Sequence, residues 1–225
     1  MTARARKPAP CRELLESKYI RALLDSCGDA LGAAGIEPSS QLLDAIAAYI
    51  ELLLRWNRKL NLTTITDPQE ILTRNFVESF LAARWLDPGG GRLCDVGSGA
   101  GFPGLALKLV RPSWQAVLLE PTSKKAAFLA EAARILKLQD VEILRSRWED
   151  SDFLPESFDA ITSRALGGYG KVLLWARERL HPGGRLILWL GARDADELGN
   201  TPGFWWERLA VPGSAERVIL IGSRE

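Results

Sequence analysis

The sequence predicts an α/β fold in which a mostly parallel, seven-stranded sheet follows an N-terminal helical extension. After residue 89, short apolar segments alternate with amphipathic helices, as expected for parallel strands covered on both faces. A glycine-rich turn follows the first of these strands, whereas apolar residues at three- and four-residue spacing dominate the chain before it. Two apolar segments joined through Pro212-Gly213 predict an antiparallel pair that closes the sheet.

Composition and charge restrict the class of protein. The chain has 225 residues, of which 47% are hydrophobic and 25% charged, which is typical of a globular protein with a sizeable core. Its net charge of +1 means that any contact with nucleic acid requires a local basic patch. Three widely spaced cysteines and one histidine predict neither disulfides nor a metal site. With no apolar run long enough for a membrane span, we expect a cytoplasmic monomer without membrane contact.

We divide the chain into three parts. Residues 1–13 carry arginine, lysine and proline without periodicity, and we expect them to be a disordered basic lead. Residues 14–88 form the helical extension, which we predict to face RNA. Residues 89–225 form the ligand-binding α/β domain, and a Pro-Gly-Gly-Gly cluster marks the boundary.

The first strong helix of the extension begins near Ser39 and ends in a basic cluster, Arg55-Trp56-Asn57-Arg58-Lys59. Cations beside an aromatic ring are what phosphate contact and base stacking require. The same cations also suit the C-terminus of any helix, because they complement its dipole. Both interpretations stay open on this evidence.

A second helix has clear start signals. Asp67 is a suitable N-cap, and Pro68 suits the first helical position. We expect Leu72, Phe76 and Phe80 to form its inner stripe. The residues that we expect on its polar side are Arg74, Asn75, Glu78 and Ser79.

The glycine-rich turn carries the strongest functional signal. Residues 95–104 read Asp-Val-Gly-Ser-Gly-Ala-Gly-Phe-Pro-Gly. Gly97, Gly99 and Gly101 permit positive φ and lack a Cβ, so a ligand can lie against backbone N–H groups where the next helix begins, near Pro103. A turn that merely lets a helix pack on a strand is the alternative.

Two spacings overlap in this turn and indicate different ligands. Residues 99–104 match the G-x-G-x-x-G dinucleotide pattern, whereas residues 95–101 place Asp95 before G-x-G-x-G in better register with the strand. A carboxylate facing the ligand would repel a pyrophosphate and would suit the cationic, phosphate-free S-adenosylmethionine. We therefore predict S-adenosylmethionine as the cofactor. A nicotinamide-dependent oxidoreductase is an alternative, against which the lack of a catalytic acid also argues.

Polar residues follow the later strands at the edge where such folds bind ligands. Glu120 ends the second strand, about 20 residues beyond the turn, where a Rossmann-like fold places the carboxylate that binds ribose hydroxyls. Trp148 and Glu149 follow the third strand and can bracket an adenine, or simply lie at the surface. Arg164 follows the fourth strand and can hold a phosphate, a carboxylate or a base oxygen. Its alternative is a structural ion pair with Glu120 or Glu149.

Three motifs together resemble the RsmG (GidB) family: the turn at 95–104, the segment 55–63 and Ser163-Arg164-Ala165. The likeness runs from about Ser39 to the C-terminus. Members of this family are class I S-adenosylmethionine-dependent methyltransferases with a Rossmann-like fold. They methylate N7 of a guanine in small-subunit (16S) ribosomal RNA.

The resemblance implies the roles of individual residues. Our own hypothesis is that Arg164 is the catalytic residue, acting by positioning the base or the cofactor, since guanine N7 carries no proton and needs no general base. The cofactor contacts predicted by the resemblance and the strand ends are Asp95, Gly97, Gly99, Gly101, Phe102, Glu120, Trp148, Glu149 and Arg164. The predicted RNA contacts are Arg55, Arg58, Lys59, Arg74, Lys124 and Lys125.

Two positions depart from the family's usual pattern. Asn75 stands where a histidine is usual, and Leu190 where a lysine is usual. Both changes remove a polar or cationic group that we expect near the substrate. An RNA protein that binds S-adenosylmethionine with altered or lost activity is therefore a further alternative.

Overall fold

The computed structural model describes residues 18–24, 27–164 and 169–225. The expected basic lead and Ala165 lie outside these residues. None of the helices in the described ranges combines the length and apolar character that crossing a membrane requires.

Helices surround a single sheet. Residues 18–24 are helical. The helices that follow are α1 (Gly28–Ala33), α2 (Ser40–Leu60), α3 (68–85), α4 (Gly104–Val110), α5 (Ser123–Ile135), α6 (Tyr169–Arg179) and α7 (Ala192–Leu198). The strands are β1 (Arg92–Val96), β2 (Gln115–Leu119), β3 (Val141–Leu144), β4 (Phe158–Arg164), β5 (Leu180–Gly191), β6 (Phe204–Ala210) and β7 (Arg217–Arg224).

The sheet has seven strands in the order β3-β2-β1-β4-β5-β7-β6. The first five are parallel, and β7 runs antiparallel to both β5 and β6. This architecture confirms the predicted fold class. The strand order changes direction beside β1, and a ligand in such a sheet binds outside the carboxyl ends of the strands at that point.

The extension and the sheet share one hydrophobic core, which includes residues of α2, α3, α4 and α5. The Tyr49 ring of α2 stacks on Phe102 with centroids 5.2 Å apart, and Phe76 of α3 meets Phe102 edge-on at 4.9 Å. Trp56 meets Phe128 of α5 edge-on at 5.8 Å. Aromatic contacts of this kind bury large apolar areas, so α2 and α3 are packed directly against the glycine-rich turn.

Helix α3 differs from the prediction in which residues it buries. Its segments are α-helical Pro68–Glu70, π-helical Ile71–Val77, α-helical Glu78–Phe80 and a 3-10 turn, Leu81–Trp85. Asn75, Glu78 and Ser79, expected on the polar side, are at most 5% exposed. The expectation was wrong because the far side of α3 is also covered: Trp189 of β5 donates to the Glu78 carbonyl at 3.0 Å.

Several element ends also differ from the prediction. Asp67 is the N-cap of α3 as expected, accepting from the Glu70 N–H at 2.9 Å. Pro103 is the N-cap of α4 and not its first residue. Strand β5 begins at Leu180, which pairs with Phe158 of β4. Helix α7 was not predicted.

Candidate active site

The glycine-rich turn has the backbone conformation that its composition predicts. Gly97, Gly99 and Gly101 have φ of 73°, 55° and 82°, values that residues with a side chain rarely adopt. The Gly97 and Ser98 N–H groups donate to the Leu119 carbonyl at 3.0 and 3.1 Å. The turn is therefore held against the end of β2.

The missing side chain at Gly101 makes room for α2 and not for a ligand. A Cβ there would lie 2.0 Å from the Tyr49 hydroxyl oxygen, which donates to the Ala100 carbonyl at 2.8 Å. A Cβ added at Gly99, by contrast, would have its nearest neighbour 3.7 Å away. Phe102 lies in the core and is 8% exposed. It does not line the cavity that opens at the carboxyl ends of β1, β2 and β3. Only part of the turn is thus open to a ligand.

Asp95 does not face the ligand side, which corrects the prediction. Its carboxylate is fully buried and accepts from the Thr162 hydroxyl at 2.8 Å and from the Gly104 N–H at 3.2 Å. It therefore ties β1 to β4 and to the first turn of α4. The expectation failed because the free N–H at the start of α4 and the Thr162 hydroxyl both bind the carboxylate inside the fold. Burial raises the pKa of Asp95 from 3.8 to about 6, although the hydrogen bond from Thr162 opposes that shift.

This raised pKa predicts how stability depends on pH. The folded state binds the Asp95 proton more tightly than the unfolded state, so its contribution is greatest below pH 4 and is lost as pH rises through about 6. The shift corresponds to about 3 kcal/mol. We expect Asp95→Asn to show a smaller fall in unfolding free energy than the wild type between pH 4 and 7, as measured by urea titration. Parallel curves for the two proteins would contradict this.

A cavity of about 900 Å³ opens at the carboxyl ends of β1, β2 and β3. Four of the predicted cofactor residues line it: Gly97, Glu120, Trp148 and Glu149. Lys125, predicted to contact RNA, lines it as well. The wall also includes Tyr169 and Lys171 of α6 and Asp194 and Glu197 of α7.

Glu120 is the most firmly held of these side chains. One carboxylate oxygen accepts from the Gly99 N–H at 3.0 Å, and the other accepts from the Thr122 N–H at 2.8 Å. The residue is 4% exposed. It therefore presents a fixed acceptor between the turn and the start of α5, as binding a ribose diol requires.

Trp148 and Glu149 line the same cavity from a 3-10 turn that runs from Trp148 to Asp150. The Trp148 ring rests edge-on against Trp175, with centroids 5.9 Å apart, while Glu149 is exposed. An aromatic face and several carboxylates around a cavity of this size fit a cationic nucleoside such as S-adenosylmethionine.

Arg164 lies outside this cavity. It donates to the Arg74 carbonyl at 2.7 Å, and its Nη2 is 3.7 Å from Oε2 of Glu78. The ion pair that we considered, with Glu120 or Glu149, is thus formed with Glu78 instead. Burial raises the pKa of Glu78, while the charges of Arg164 and Arg217 oppose that rise. Burial has the opposite effect on the cation and lowers the pKa of Arg164.

The residues predicted to contact RNA lie in three places. At the end of α2, Arg58 and Lys59 are exposed, while Arg55 pairs with Glu131 of α5 at 3.1 Å. In α3, Arg74 is half-buried and lies 3.7 Å from Glu70. Exposed Lys124 and half-buried Lys125 lie in the first turn of α5. A groove of about 700 Å³ between α2 and α3 is lined by Arg58 together with Asn57, Asn61 and Thr63.

Sequence reasoning missed three residues of this region: Tyr49, Glu78 and Arg217. Tyr49 belongs to the apolar stripe of α2 and gives no separate signal. Glu78 had a partial signal, since in a regular α-helix it would share a face with the apolar Ile71, seven residues earlier. Arg217 pairs with Glu78 across 139 residues of sequence, a separation at which no local pattern is informative.

Comparison with known proteins identifies the family. The model of the GidB family, described as rRNA small subunit methyltransferase G, matches residues 42–206. The chain belongs to this family. It is 37% identical to the ribosomal RNA small subunit methyltransferase G of Yersinia enterocolitica over 206 residues, covering 88% of this chain and 98% of the relative. The protein of that name from Xanthomonas euvesicatoria is 35% identical over 192 residues, covering 81% and 89%.

Solved structures agree with this fold. A SAM-dependent methyltransferase from Aquifex aeolicus superposes with a TM-score of 0.60 at 16% identity, covering 73% of this chain and 97% of that one. TYW2 of M. jannaschii in complex with AdoMet gives 0.53 at 16% identity, covering 67% and 76%. Membership of the GidB family makes this chain an S-adenosylmethionine-dependent methyltransferase, which confirms the predicted enzyme class and cofactor. The nicotinamide alternative is thereby set aside.

Proposed function

We propose that this enzyme transfers the methyl group of S-adenosylmethionine to N7 of a guanine in small-subunit ribosomal RNA, acting as a monomer in the cytoplasm. The relatives in this family are named ribosomal RNA small subunit methyltransferase G. The observation that carries the proposal is a cofactor-sized cavity walled by Glu120 and Trp148 that adjoins a second, smaller cavity beside Arg164.

The cofactor would lie across the carboxyl ends of the strands. Glu120 would accept hydrogen bonds from its ribose hydroxyls, and Trp148 and Glu149 would bracket its adenine. When bound, the cofactor supplies an electrophilic methyl group on a sulfonium. The nearby carboxylates of Asp194 and Glu197 favour its positive charge.

The chemistry asks little of the protein beyond placement. Guanine N7 carries a lone pair and no proton, so no general base is required. Among the described residues, neither histidine nor cysteine lines the larger cavity. Alignment of N7 with the methyl group can supply the rate enhancement, and Arg164, held by the Arg74 carbonyl and Glu78, is the cation placed to position the base.

The direct test is transfer of labelled methyl from S-adenosylmethionine to small ribosomal subunits that lack the modification, followed by mapping of the modified base. We expect one labelled guanine, methylated at N7. Absence of label, or label on another atom, would contradict the proposal. Tight cofactor binding without transfer would instead support the alternative of an RNA protein whose activity is altered or lost.

The basic end of α2 predicts a salt dependence of RNA binding. If Arg58 and Lys59 each contact a phosphate, replacing both with alanine should reduce the slope of log affinity against log salt by about 1.4 to 1.8. Filter binding or fluorescence anisotropy at several salt concentrations measures that slope. The matched control is alanine at two exposed cations, Arg134 in the last turn of α5 and Lys137 just beyond that helix. Equal slopes for the two double variants would remove α2 from the RNA surface.

A further inference from the structure

A second cavity, of about 260 Å³, lies beside the larger one at the ends of β4 and β5. Tyr169 and Asp194 line both cavities, so the two adjoin. Its volume admits little more than a single nucleobase. Its wall also includes Glu78, Arg164, Trp189, Leu190 and Arg217.

Glu78 brings a buried carboxylate to this cavity with one oxygen unengaged. Oε1 accepts from Arg217 Nε at 3.0 Å and lies 3.0 Å from Arg217 Nη2. Oε2 is 3.7 Å from Arg164 Nη2, and no described residue donates a hydrogen bond to it. The Glu78 side chain is 5% exposed. Oε2 can therefore accept hydrogen bonds from a ligand in the cavity that brings N–H groups.

The backbone around Glu78 holds it in place. Its carbonyl accepts from the Trp189 indole N–H at 3.0 Å, and Arg164 donates to the Arg74 carbonyl one turn earlier in α3 at 2.7 Å. These bonds join α3 to β4 and β5. With the hydrogen bond from Arg217 of β7, Glu78 is therefore held by contacts from three strands.

Guanine has the matching chemistry. An enzyme that methylates N7 must leave that atom free, so it has to recognise the base by another edge. The Watson–Crick edge of guanine carries two donors, N1–H and the N2 amino group, and enzymes that act on an extruded base commonly bind that edge. Oε1 is occupied by Arg217 Nε and Nη2, so Oε2 is the carboxylate oxygen that can accept from these donors.

We propose that the small cavity takes the target guanine, with Glu78 accepting from its Watson–Crick edge and Arg164 donating to its O6. This inference rests on the proposed function and names a specificity-determining residue for it. Arg217 orients the carboxylate through its contacts with Oε1. Trp189 supplies an aromatic wall for the base.

The alternative is that Glu78 and its arginines only fasten α3 to the sheet. The two roles differ in one measurable respect. A fastening role affects all RNA substrates equally, whereas recognition depends on which donors the base carries.

The test compares wild type with Glu78→Gln on reconstituted small subunits that carry guanosine or inosine at the target position. Inosine lacks the N2 amino group but keeps N7, O6 and N1–H. We expect wild type to lose at least about tenfold in kcat/KM with inosine. With guanosine, the kcat/KM of Glu78→Gln should be at least about tenfold below that of wild type. Its dissociation constant for S-adenosylmethionine should stay within about twofold of the wild-type value. Replacing guanosine with inosine should lower the kcat/KM of this variant by less than about a further threefold. The control is Glu70→Gln, an exposed carboxylate of the same helix, expected to match wild type throughout.

The outcomes separate the two proposals. If wild type methylates guanosine and inosine equally well, the assignment of Glu78 is overturned while the proposed function stands, and this arm needs no variant to fold. If Glu78→Gln keeps the full discrimination of wild type, the assignment is overturned as well. If wild type methylates neither substrate, the proposed function fails and this inference fails with it.

Discussion

Replacing Gly101 with alanine is expected to lower the free energy of unfolding by about 2 to 5 kcal/mol. The residue has φ of 82°, and the new Cβ would lie 2.0 Å from the Tyr49 hydroxyl oxygen and 2.9 Å from Leu105 Cδ1. Backbone strain of this kind costs about 1 to 3 kcal/mol, and overpacking of a buried site costs about as much again. Denaturant unfolding of the purified protein measures the loss.

Two further variants separate these two costs. Gly99→Ala has a positive φ, but the nearest atom to its Cβ would be 3.7 Å away, so it should cost only about 1 kcal/mol. Tyr49→Phe removes the overlapping oxygen and the hydrogen bond to the Ala100 carbonyl, at about 1 kcal/mol. In the Tyr49→Phe background, Gly101→Ala should therefore cost less than in wild type. An identical cost in both backgrounds would show that Tyr49 is not what excludes a side chain at this position.

Replacing Glu120 with glutamine is expected to weaken binding of S-adenosylmethionine by about 10- to 100-fold. The carboxylate accepts from the Gly99 and Thr122 N–H groups, one on each oxygen. A glutamine amide can accept from only one of these N–H groups through its oxygen. Its NH2 group would face the other N–H, so that two donors would meet. Disturbing a buried charged acceptor costs about 1.5 to 3 kcal/mol, and each 1.4 kcal/mol corresponds to about tenfold in affinity. Isothermal titration calorimetry with the cofactor measures the change.

Glu149→Gln is the matched control, because Glu149 lines the same cavity but is exposed. Water screens an exposed carboxylate, so we expect this variant to lose less than about tenfold. Equal losses for Glu120→Gln and Glu149→Gln would argue that charge alone, and not the fixed geometry of Glu120, holds the cofactor. Unchanged affinity in Glu120→Gln would remove Glu120 from the cofactor site.

Much of the sheet could be predicted residue by residue. Glu120 directly follows β2 as expected, and Trp148 and Glu149 come after β3. Local signals suffice here, because a buried parallel strand is a short apolar run and a turn shows its glycines. The positive φ values at Gly97, Gly99 and Gly101 follow from the same local physics.

Side-chain direction at the site was harder to predict. Asp95 was expected to face the ligand, but Thr162 and the Gly104 N–H hold it under the turn. The side chains of Asn75 and Glu78 were expected in water, but α3 is covered on both sides. In each case the deciding partner comes from another element, and its position depends on packing that no single segment contains.

The sequence by itself determined the order of the strands, the glycine-rich turn, the carboxylate after β2 and the family. These properties arise from interactions within a few residues, or from motifs that can be recognised in one sequence. Only the tertiary structure decided that Gly101 makes room for Tyr49, whose hydroxyl donates to Ala100, 51 residues later in the sequence. Only the tertiary structure likewise decided that Glu78 pairs with Arg217, which is 139 residues away. The physical reason is that a buried polar group takes whichever partner the packed core brings within reach, and that choice is made only when the helices close on the sheet.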